Sequence, residues 1–274
     1  IEHGVRKATL VLNDGKVLAL DTSRMTLKES DGVTIHTNDQ ALVYVDSLDN
    51  KGENLQNRLI TPKGGEYTIM LADGTKVWVN AATEIRYPVK FAGKERRVRL
   101  EGEAYFDVRK DEEHPFVVRT RFGEVTVLGT AFNVNAYNDA DACYTTLVYG
   151  KVNFSTPDQK IITLAPGEQA VASSRGIEKR AVDVDEYIGW ARGVYVFNNK
   201  RLGDIMKTFE RWYDVHVYYE DASLCDLTYS GDLQRYGTIN TFLDALELTG
   251  DIYYRINGLS LIHISEPTRR TPIS

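Results

Sequence analysis

Polar and apolar residues alternate along most of the first 185 residues, and this period of two is typical of half-buried β-strands. Two stretches, "TLVLNDGKVLAL" (9–20) and "YTIMLADGTKVWVN" (67–80), each place two alternating arms around an Asp-Gly pair. Asp-Gly is a favoured connection between antiparallel strands, because glycine accepts the positive φ that a tight turn requires. We therefore predict one β-hairpin in each stretch, and the pair resembles a single unit used twice.

Turn residues divide the rest of this region into short strands at intervals of roughly 8–12 residues, which is the spacing of a sandwich, barrel or roll. Pro166-Gly167 fits a type II turn, in which glycine takes a positive φ at the third position. The polar, aperiodic segment 48–58 is predicted to be a loop between the first strands and the main β-region. Further strands are predicted at 95–108, 116–121, 124–128, 131–137, 144–149, 152–155, 160–164 and 169–173.

The pattern changes after Val184, where apolar residues recur at helical spacing in two segments. The first helix is predicted to be capped by Asn198 or Asn199, and the second, over 238–248, to end at Gly250. Strands are predicted at 194–197, 215–219, 227–231, 253–256 and 259–262, which gives a small α+β domain of βαββαβ order. The apolar faces are Leu202, Ile205, Met206, Phe209, Trp212 and Tyr213 in the first helix, and Ile239, Phe242, Leu243 and Leu246 in the second.

These patterns divide the chain into an N-terminal β segment (1–60), an all-β domain (61–185), the small α+β domain (193–262) and a tail (263–274). Trp190 and its neighbours form the junction between the two domains. The tail, "HISEPTRRTPIS", has no period and resembles a peptide translated from sequencing-library adaptor DNA, so we expect it to be non-native or disordered. The chain begins at Ile1 without a signal peptide, and we expect it to be a processed or truncated fragment.

Composition excludes two classes of function. The net charge is -6, and no basic stripe is visible that could neutralise the phosphates of a nucleic-acid duplex. No apolar run approaches the roughly 20 residues that a membrane-spanning helix needs. Cys143 and Cys225 are far apart in sequence and form no metal or redox motif; we expect two buried small residues rather than a disulfide.

Three acidic residues, Glu101, Glu103 and Asp107, form the strongest candidate for a catalytic site. Residues i and i+2 of a strand are roughly 6.5–7 Å apart, which is compatible with a glycosidase pair. However, all three share the odd-numbered face of the predicted strand with several arginines, which favour ionised carboxylates rather than a general acid. We therefore predict a solvated, charged strand face and no catalysis, with the buried face formed by Val98, Leu100, Ala104, Phe106 and Val108.

No other pattern indicates an enzyme. The histidines are scattered, and the sequence contains no nucleophile elbow, Walker loop or zinc-protease motif. The Trp212-Tyr213 pair is predicted to belong to the core rather than to a ligand-stacking site. We accordingly predict no catalytic, cofactor-binding or metal-binding residue, no cofactor and no nucleic-acid partner. The histidines are His3, His36, His114, His216 and His263.

Five signatures occur together in one order: "LADGTKVWVNAATEIRYPVKF" (71–91), "RRVRLEGEAYFDVRKDEEHPFVVRT" (96–120), "VTVLGTAFNVNAY" (125–137), "GKVNF" (150–154) and "LAPGEQAV" (164–171). This combination resembles the FecR domain. Residues 193–262 are similar to the domain that follows FecR in Bacteroidetes proteins, which is itself similar to the short N-terminal domain of secretins and TonB-dependent transporters. The first 60 residues match less sharply.

The resemblance implies a periplasmic sensor region of an anti-sigma factor anchored in the inner membrane. Such a protein relays a signal from a TonB-dependent outer-membrane transporter to an extracytoplasmic-function sigma factor. The transporter's periplasmic signalling domain is expected to dock on about 193–257, and the sigma factor on an N-terminal segment that this sequence does not include. Two alternatives stay open: a β-rich carbohydrate- or ligand-binding module without a signalling role, and a glycosidase-like enzyme with Glu101 in a dry pocket.

Overall fold

The computed structural model describes residues 1–28, 34–38, 41–45, 55–258 and 261–266. A large all-β domain is followed by a small α+β domain, as the alternation and the later helical periods predict. The strands of the first domain are β1 Val5–Arg6, β2 Ala8–Val11, β3 Val17–Leu20, β4 Thr26–Lys28, β5 Thr34–Thr37, β6 Leu42–Val45, β7 Gln56–Thr61, β8 Gly65–Met70, β9 Lys76–Val79, β10 Thr83–Pro88, β11 Arg96–Asp107, β12 Phe116–Thr120, β13 Gly123–Val127, β14 Ala131–Ala136, β15 Ala142–Tyr149, β16 Val152–Ser155, β17 Ile161–Leu164, β18 Glu168–Ser173 and β19 Gly176–Ala181.

Two sheets enclose one apolar core in this domain. Sheet I runs in the order β3-β2-β7-β10-β11-β12-β13-β16-β17. Sheet II runs β4-β5-β6-β8-β9-β11-β14-β15-β18-β19, with β1 beside the start of β8. Inward-facing residues of both sheets, such as Leu100 of β11 and Phe132 of β14, are fully buried against one another. The architecture is therefore a two-layer β-sandwich, which is one of the all-β architectures that the sequence left open.

Strand β11 belongs to both sheets. Its first half pairs with β10 and β12 in sheet I, and its second half pairs with β9 and β14 in sheet II. The change occurs at Gly102, whose φ is 115° and where a side chain would overlap the backbone of Thr83. Glycine is needed here because an L side chain neither adopts this φ readily nor fits the space.

The two predicted hairpins are confirmed and share the same turn. In each, the glycine has φ near 85° and the aspartate side chain accepts a bond from the backbone N–H two residues later. The backbone N–H of Gly15 donates to Leu12, and that of Gly74 donates to Leu71. One hairpin (β2–β3) lies in sheet I and the other (β8–β9) in sheet II, so the repeated unit serves both layers.

Most predicted strands are found, and the predicted loop is misplaced. The described part of the first domain also contains seven strands that were not predicted individually: β1, β4, β5, β6, β7, β10 and β19. Strand β19 was not predicted, because its mostly exposed residues show little alternation. The predicted loop 48–58 extends too far: its part up to residue 54 lies outside the described residues, but 56–58 belong to β7. Asn57 is polar yet fully buried, where its side-chain amide donates to the Tyr44 hydroxyl. Because an amide side chain occupies a core position, the alternation of apolar residues is interrupted and does not indicate this strand.

The small domain combines two helices with two small sheets around a second core. Strands β20 and β22 pair antiparallel, and β21, β24 and β23 form the other sheet. Both predicted helical faces are buried, including Trp212 and Tyr213, which confirms their core assignment. The elements are α1 Asp185–Ile188 in the connection, then β20 Val194–Arg201, α2 Leu202–Trp212, β21 His216–Tyr219, β22 Thr228–Gln234, α3 Ile239–Leu248, β23 Tyr253–Asn257 and β24 Leu261–Ser265.

Two boundaries of this domain differ from the prediction. Asn198 and Asn199 do not cap α2, because a register shift after Phe197 lets β20 continue to Arg201, which occupies the N-cap position. Gly250 follows α3 with φ 80°, as predicted. Strand β24 reaches Ser265 and buries Ile264, so the domain continues three residues beyond the predicted boundary at Ile262. The predicted non-native or disordered tail otherwise falls on residues outside the described part, apart from Glu266.

The two cysteines are free, and they lie in different domains. Cys143 of β15 is fully buried, and burial raises the pKa of its thiol to about 12. Cys225 is half-buried. Because the thiolate is the reactive species, we expect iodoacetamide near neutral pH to modify Cys225 slowly and Cys143 only after unfolding. Peptide mass mapping of native and urea-treated protein checks this, and equal labelling of both thiols in the native state would contradict it.

Candidate functional site at the domain junction

The small domain covers part of the outer face of sheet II. Trp78 of β9 and Tyr105 of β11 point away from the sandwich core and pack into the core of the small domain, together with buried Ala81. The backbone N–H of Gly64 also donates to the carbonyl of Arg211 at 2.7 Å. These contacts determine how the two domains are positioned relative to each other.

Arg235, the residue after β22, is the centre of this junction. Its side chain is fully buried and lies over the ring of Trp212, with the guanidinium carbon 3.7 Å from the ring centroid. Its Nη2 donates to Glu66 Oε2 at 3.0 Å and to Asn80 Oδ1 at 2.8 Å, and its Nη1 donates to the Tyr195 hydroxyl. One buried charge from the small domain is therefore satisfied by polar groups of both domains.

The hydrogen bonds continue from Asn80 across the outer face of sheet II. Asn80 Nδ2 donates to Glu103 Oε2 at 2.8 Å, and Asn133 Nδ2 donates to Glu103 Oε1 at 2.9 Å. Trp190 Nε1, from the connection between the domains, donates to Asn133 Oδ1 at 3.2 Å. We call this chain of side chains the junction network; its members are Glu66, Arg235, Asn80, Glu103, Asn133 and Trp190.

The surroundings of Arg235 favour its charged form. Desolvation lowers the pKa of Arg235, but the Tyr195 hydroxyl and the Glu66 carboxylate outweigh it and leave that pKa above its ordinary value. Tyr236 donates its hydroxyl to Glu66, and burial together with this carboxylate raises the pKa of Tyr236 to about 12. The arrangement of the network suits mechanical coupling of two domains.

The three candidate acids do not form one solvated group, which corrects the sequence interpretation. Glu101 and Asp107 are exposed, whereas Glu103 is 9% exposed because the small domain covers its part of the strand face. The even-numbered face is buried as predicted. Asp107 accepts a hydrogen bond from the Tyr149 hydroxyl at 2.5 Å, which raises the pKa of Tyr149 to about 12.

The geometry gives little support to the two alternative functions, a glycosidase-like enzyme and a carbohydrate- or ligand-binding module. Glu101 lies at an open cleft of about 260 Å³ and accepts a bond from Asn138, so it does not occupy the dry pocket that a glycosidase requires. The most exposed tyrosines lie on separate elements and form no row along a groove: Tyr149, Tyr218, Tyr236 and Tyr253. Among the described residues, no group of three His, Cys, Asp or Glu could hold a metal ion. No helix in the described part of the chain is long and apolar enough to cross a membrane.

Strand β22 offers an accessible edge directly beside the junction network. The backbone N–H of Arg235 donates to the carbonyl oxygen of Gly193, so the main-chain groups of Arg235 face towards β20. Since main-chain groups alternate in direction along an antiparallel strand, those of Leu233 also face β20 and those of Asp232 face outward. Asp232 is exposed. An outward-facing main chain at an exposed residue is a feature that a partner strand can pair with.

Sequence reasoning identified Glu103 and Trp190 but missed Glu66, Asn80, Asn133 and Arg235 in the network. One signal was available: Tyr105 is the only uncharged residue on the odd-numbered face between Arg97 and Arg109. Trp78 shows the same exception in β9, where it shares a face with Lys76 and Asn80. Large aromatic residues on an outward strand face indicate that another element covers it.

Comparisons with known proteins agree with this architecture. A family model described as "FecR protein" matches residues 57–153, and one described as "FecR, C-terminal" matches residues 194–263. Two crystal structures of a protein from Parabacteroides distasonis ATCC 8503, assigned as an anti-sigma factor, are each 31% identical to this chain. They superpose with TM-scores of 0.70 and 0.71, covering 76% and 77% of this chain and 98% and 99% of their own. No curated protein sequence matches.

The match extends over both domains and over nearly the whole length of the solved relatives. The two family models match separate segments, one in the sandwich and one in the small domain. The chain belongs to the FecR family of anti-sigma factors.

Proposed function

We propose that this chain is the periplasmic sensor region of an anti-sigma factor, which relays a signal from a TonB-dependent outer-membrane transporter to an extracytoplasmic-function sigma factor. Membership of the FecR family supports an anti-sigma signalling role. The sigma factor would be held by a segment outside this sequence. The partner recognised by the chain itself would be the periplasmic signalling domain of the transporter, docked on 193–257.

The observation that carries this proposal is the continuity of β22 with Arg235. The strand has an exposed edge at Asp232, and three residues later the same chain enters the buried junction network. A protein bound along β22 would therefore act on a strand whose end is tied to Glu66 and Asn80 of the sandwich. The arrangement gives a short physical path from a docking edge to the first domain.

Strand addition is the mode of docking that fits this edge. A partner strand beside β22 would gain main-chain hydrogen bonds from Asp232, and side chains on either face would provide specificity. Pairing would also restrain β22, and with it the position of Arg235 in the junction. In this mechanism the signal is a change in how firmly the small domain is held against sheet II.

Replacing Asp232 with proline should weaken binding of the transporter's signalling domain at least tenfold, because proline removes the outward N–H that a partner strand needs. Pairing of β22 with β20 uses the neighbouring residues and should survive. The matched control is Asp232→Ala, which removes the same side chain but keeps the N–H. A pull-down of the full chain with the signalling domain of its transporter, followed by titration calorimetry, measures both variants.

The proposal fails if Asp232→Pro binds as tightly as Asp232→Ala while both variants keep the wild-type melting temperature. Equal loss in both variants would indicate recognition of the carboxylate rather than strand addition, and would also contradict the mechanism.

A further inference from the structure

A row of arginines crosses the outer face of sheet I, on the domain opposite to the proposed docking edge. Arg58 of β7 lies directly opposite Arg86 of β10, Arg86 opposite Arg99 of β11, and Arg99 opposite Arg119 of β12. We call these residues the arginine row. Neighbouring strands are about 4.8 Å apart, so the row extends over about 15 Å. Like charges directly opposite each other destabilise a sheet, and nothing in strand pairing requires this arrangement.

Carboxylates of the chain neutralise the row only in part. Glu84 contacts both Arg58, at 3.4 Å, and Arg86. Glu124 lies 3.9 Å from Arg119 but only 2.7 Å from Arg97, outside the row. Among the described residues, no carboxylate lies within ion-pair distance of Arg99, although its side chain is exposed at the middle of the sheet.

The row opens into a groove at its β12 end. Arg99, Arg119 and Arg121 line this groove, which has a volume of about 610 Å³. Its far wall includes Ile161 of β17, which is 66% exposed. Ile161 ends the line of directly paired positions that runs from Arg119 through Glu124 and Ser155. The groove thus offers several guanidinium groups and one apolar contact along a single line.

We propose that the arginine row is a docking surface for an extended acidic protein segment that lies across the strands of sheet I. Alternate side chains of an extended chain are about 6.6–6.8 Å apart, so about three carboxylates fit along the row. Guanidinium groups can bind carboxylates in bidentate geometry. Glu84 and Glu124 already form ion pairs with arginines of this surface, each through a single short contact. Arg99 supplies the position that the chain itself leaves without a carboxylate.

The surroundings favour a protein over a membrane or a nucleic acid. The row crosses the strands of sheet I, and among the described elements no amphipathic helix beside it could insert into a bilayer. Glu84, Glu101 and Glu124 are interleaved with the arginines, which would repel a continuous phosphate backbone. A peptide can place its carboxylates at the arginines and neutral residues elsewhere.

The test is fluorescence anisotropy of the full chain with a labelled decapeptide of alternating Glu and Thr, at low ionic strength. The wild-type chain should bind this peptide but not the same peptide with Gln in place of Glu. Arg99→Gln should weaken binding about tenfold, the effect of losing one charge-assisted contact. Arg175→Gln, at an exposed arginine in the turn between β18 and β19, removes the same charge elsewhere on the domain and should change binding less than twofold.

Equal effects of the two substitutions would overturn the proposal, since attraction would then come from general charge. Absence of wild-type binding to the acidic peptide would also overturn it. So would binding of phosphatidylglycerol vesicles that depends on Arg99 in the absence of peptide binding, because the surface would then recognise a lipid. Asp232 and Arg99 lie on different domains, so this test and the signalling-domain test fail independently.

Discussion

Replacing Arg235 with methionine is expected to lower the free energy of unfolding by about 3 kcal/mol, the size of effect seen when one partner of a buried ion pair is removed. Methionine fills much of the same volume, but it offers no donor to Glu66, Asn80 or Tyr195. Glu66 retains the Tyr236 hydroxyl and some solvent contact, which places the loss at the lower end of the usual range. The cation–π contact with Trp212 disappears as well.

Urea unfolding followed by tryptophan fluorescence measures this loss, because Trp190 and Trp212 both lie at the junction. The matched control is Arg255→Met at an exposed arginine of β23, which should change stability by less than about 0.5 kcal/mol. A double-mutant cycle with Glu66→Gln isolates the pair from the remaining contacts. Equal stability of the two methionine variants would show that the junction network does not hold the domains together.

Many strands of the β-sandwich could be predicted because they are determined locally. In β11 the alternation of Val98, Leu100, Ala104 and Phe106 with charged residues assigns a buried face without knowledge of any neighbour. The Asp-Gly turns similarly identify two hairpins from their own residues. The shared use of β11 by both sheets was not predictable, because it depends on which strands lie beside each half.

The junction network was harder to predict from the sequence, because it depends on contacts between distant elements. Glu103 looks like a solvated strand residue in sequence, and only the covering domain makes it buried. Asn57 shows the opposite case, in which a polar residue faces the core because a distant hydroxyl satisfies it. Arg235 follows an exposed strand and meets its partners Glu66 and Asn80 across more than 150 positions of sequence. Periodicity reports one element at a time, whereas the network consists of contacts between elements.

Replacing Gly102 with alanine is expected to cost about 2–6 kcal/mol of stability, because steric overlap and backbone strain add at this position. A Cβ at this position would lie 2.3 Å from Thr83 Oγ1 and 2.7 Å from Thr83 Cα. Relief requires movement of the β10 backbone, and overpacking of this kind costs roughly 1–3 kcal/mol. The φ of 115° adds a backbone strain of roughly 1–3 kcal/mol for any residue other than glycine.

The two causes can be separated with Gly176, which has a φ of 124° but no atom within 4 Å of the place that a methyl group would occupy. Gly176→Ala should therefore report the backbone strain alone, and the difference between the variants in urea unfolding should report the overlap with Thr83. Thr83 Oγ1 also accepts the backbone N–H of Glu103, so displacing Thr83 should disturb the junction network through its next residue. If Gly102→Ala is no more destabilising than Gly176→Ala, β10 yields freely, and the passage of β11 between the sheets does not depend on the absence of a side chain.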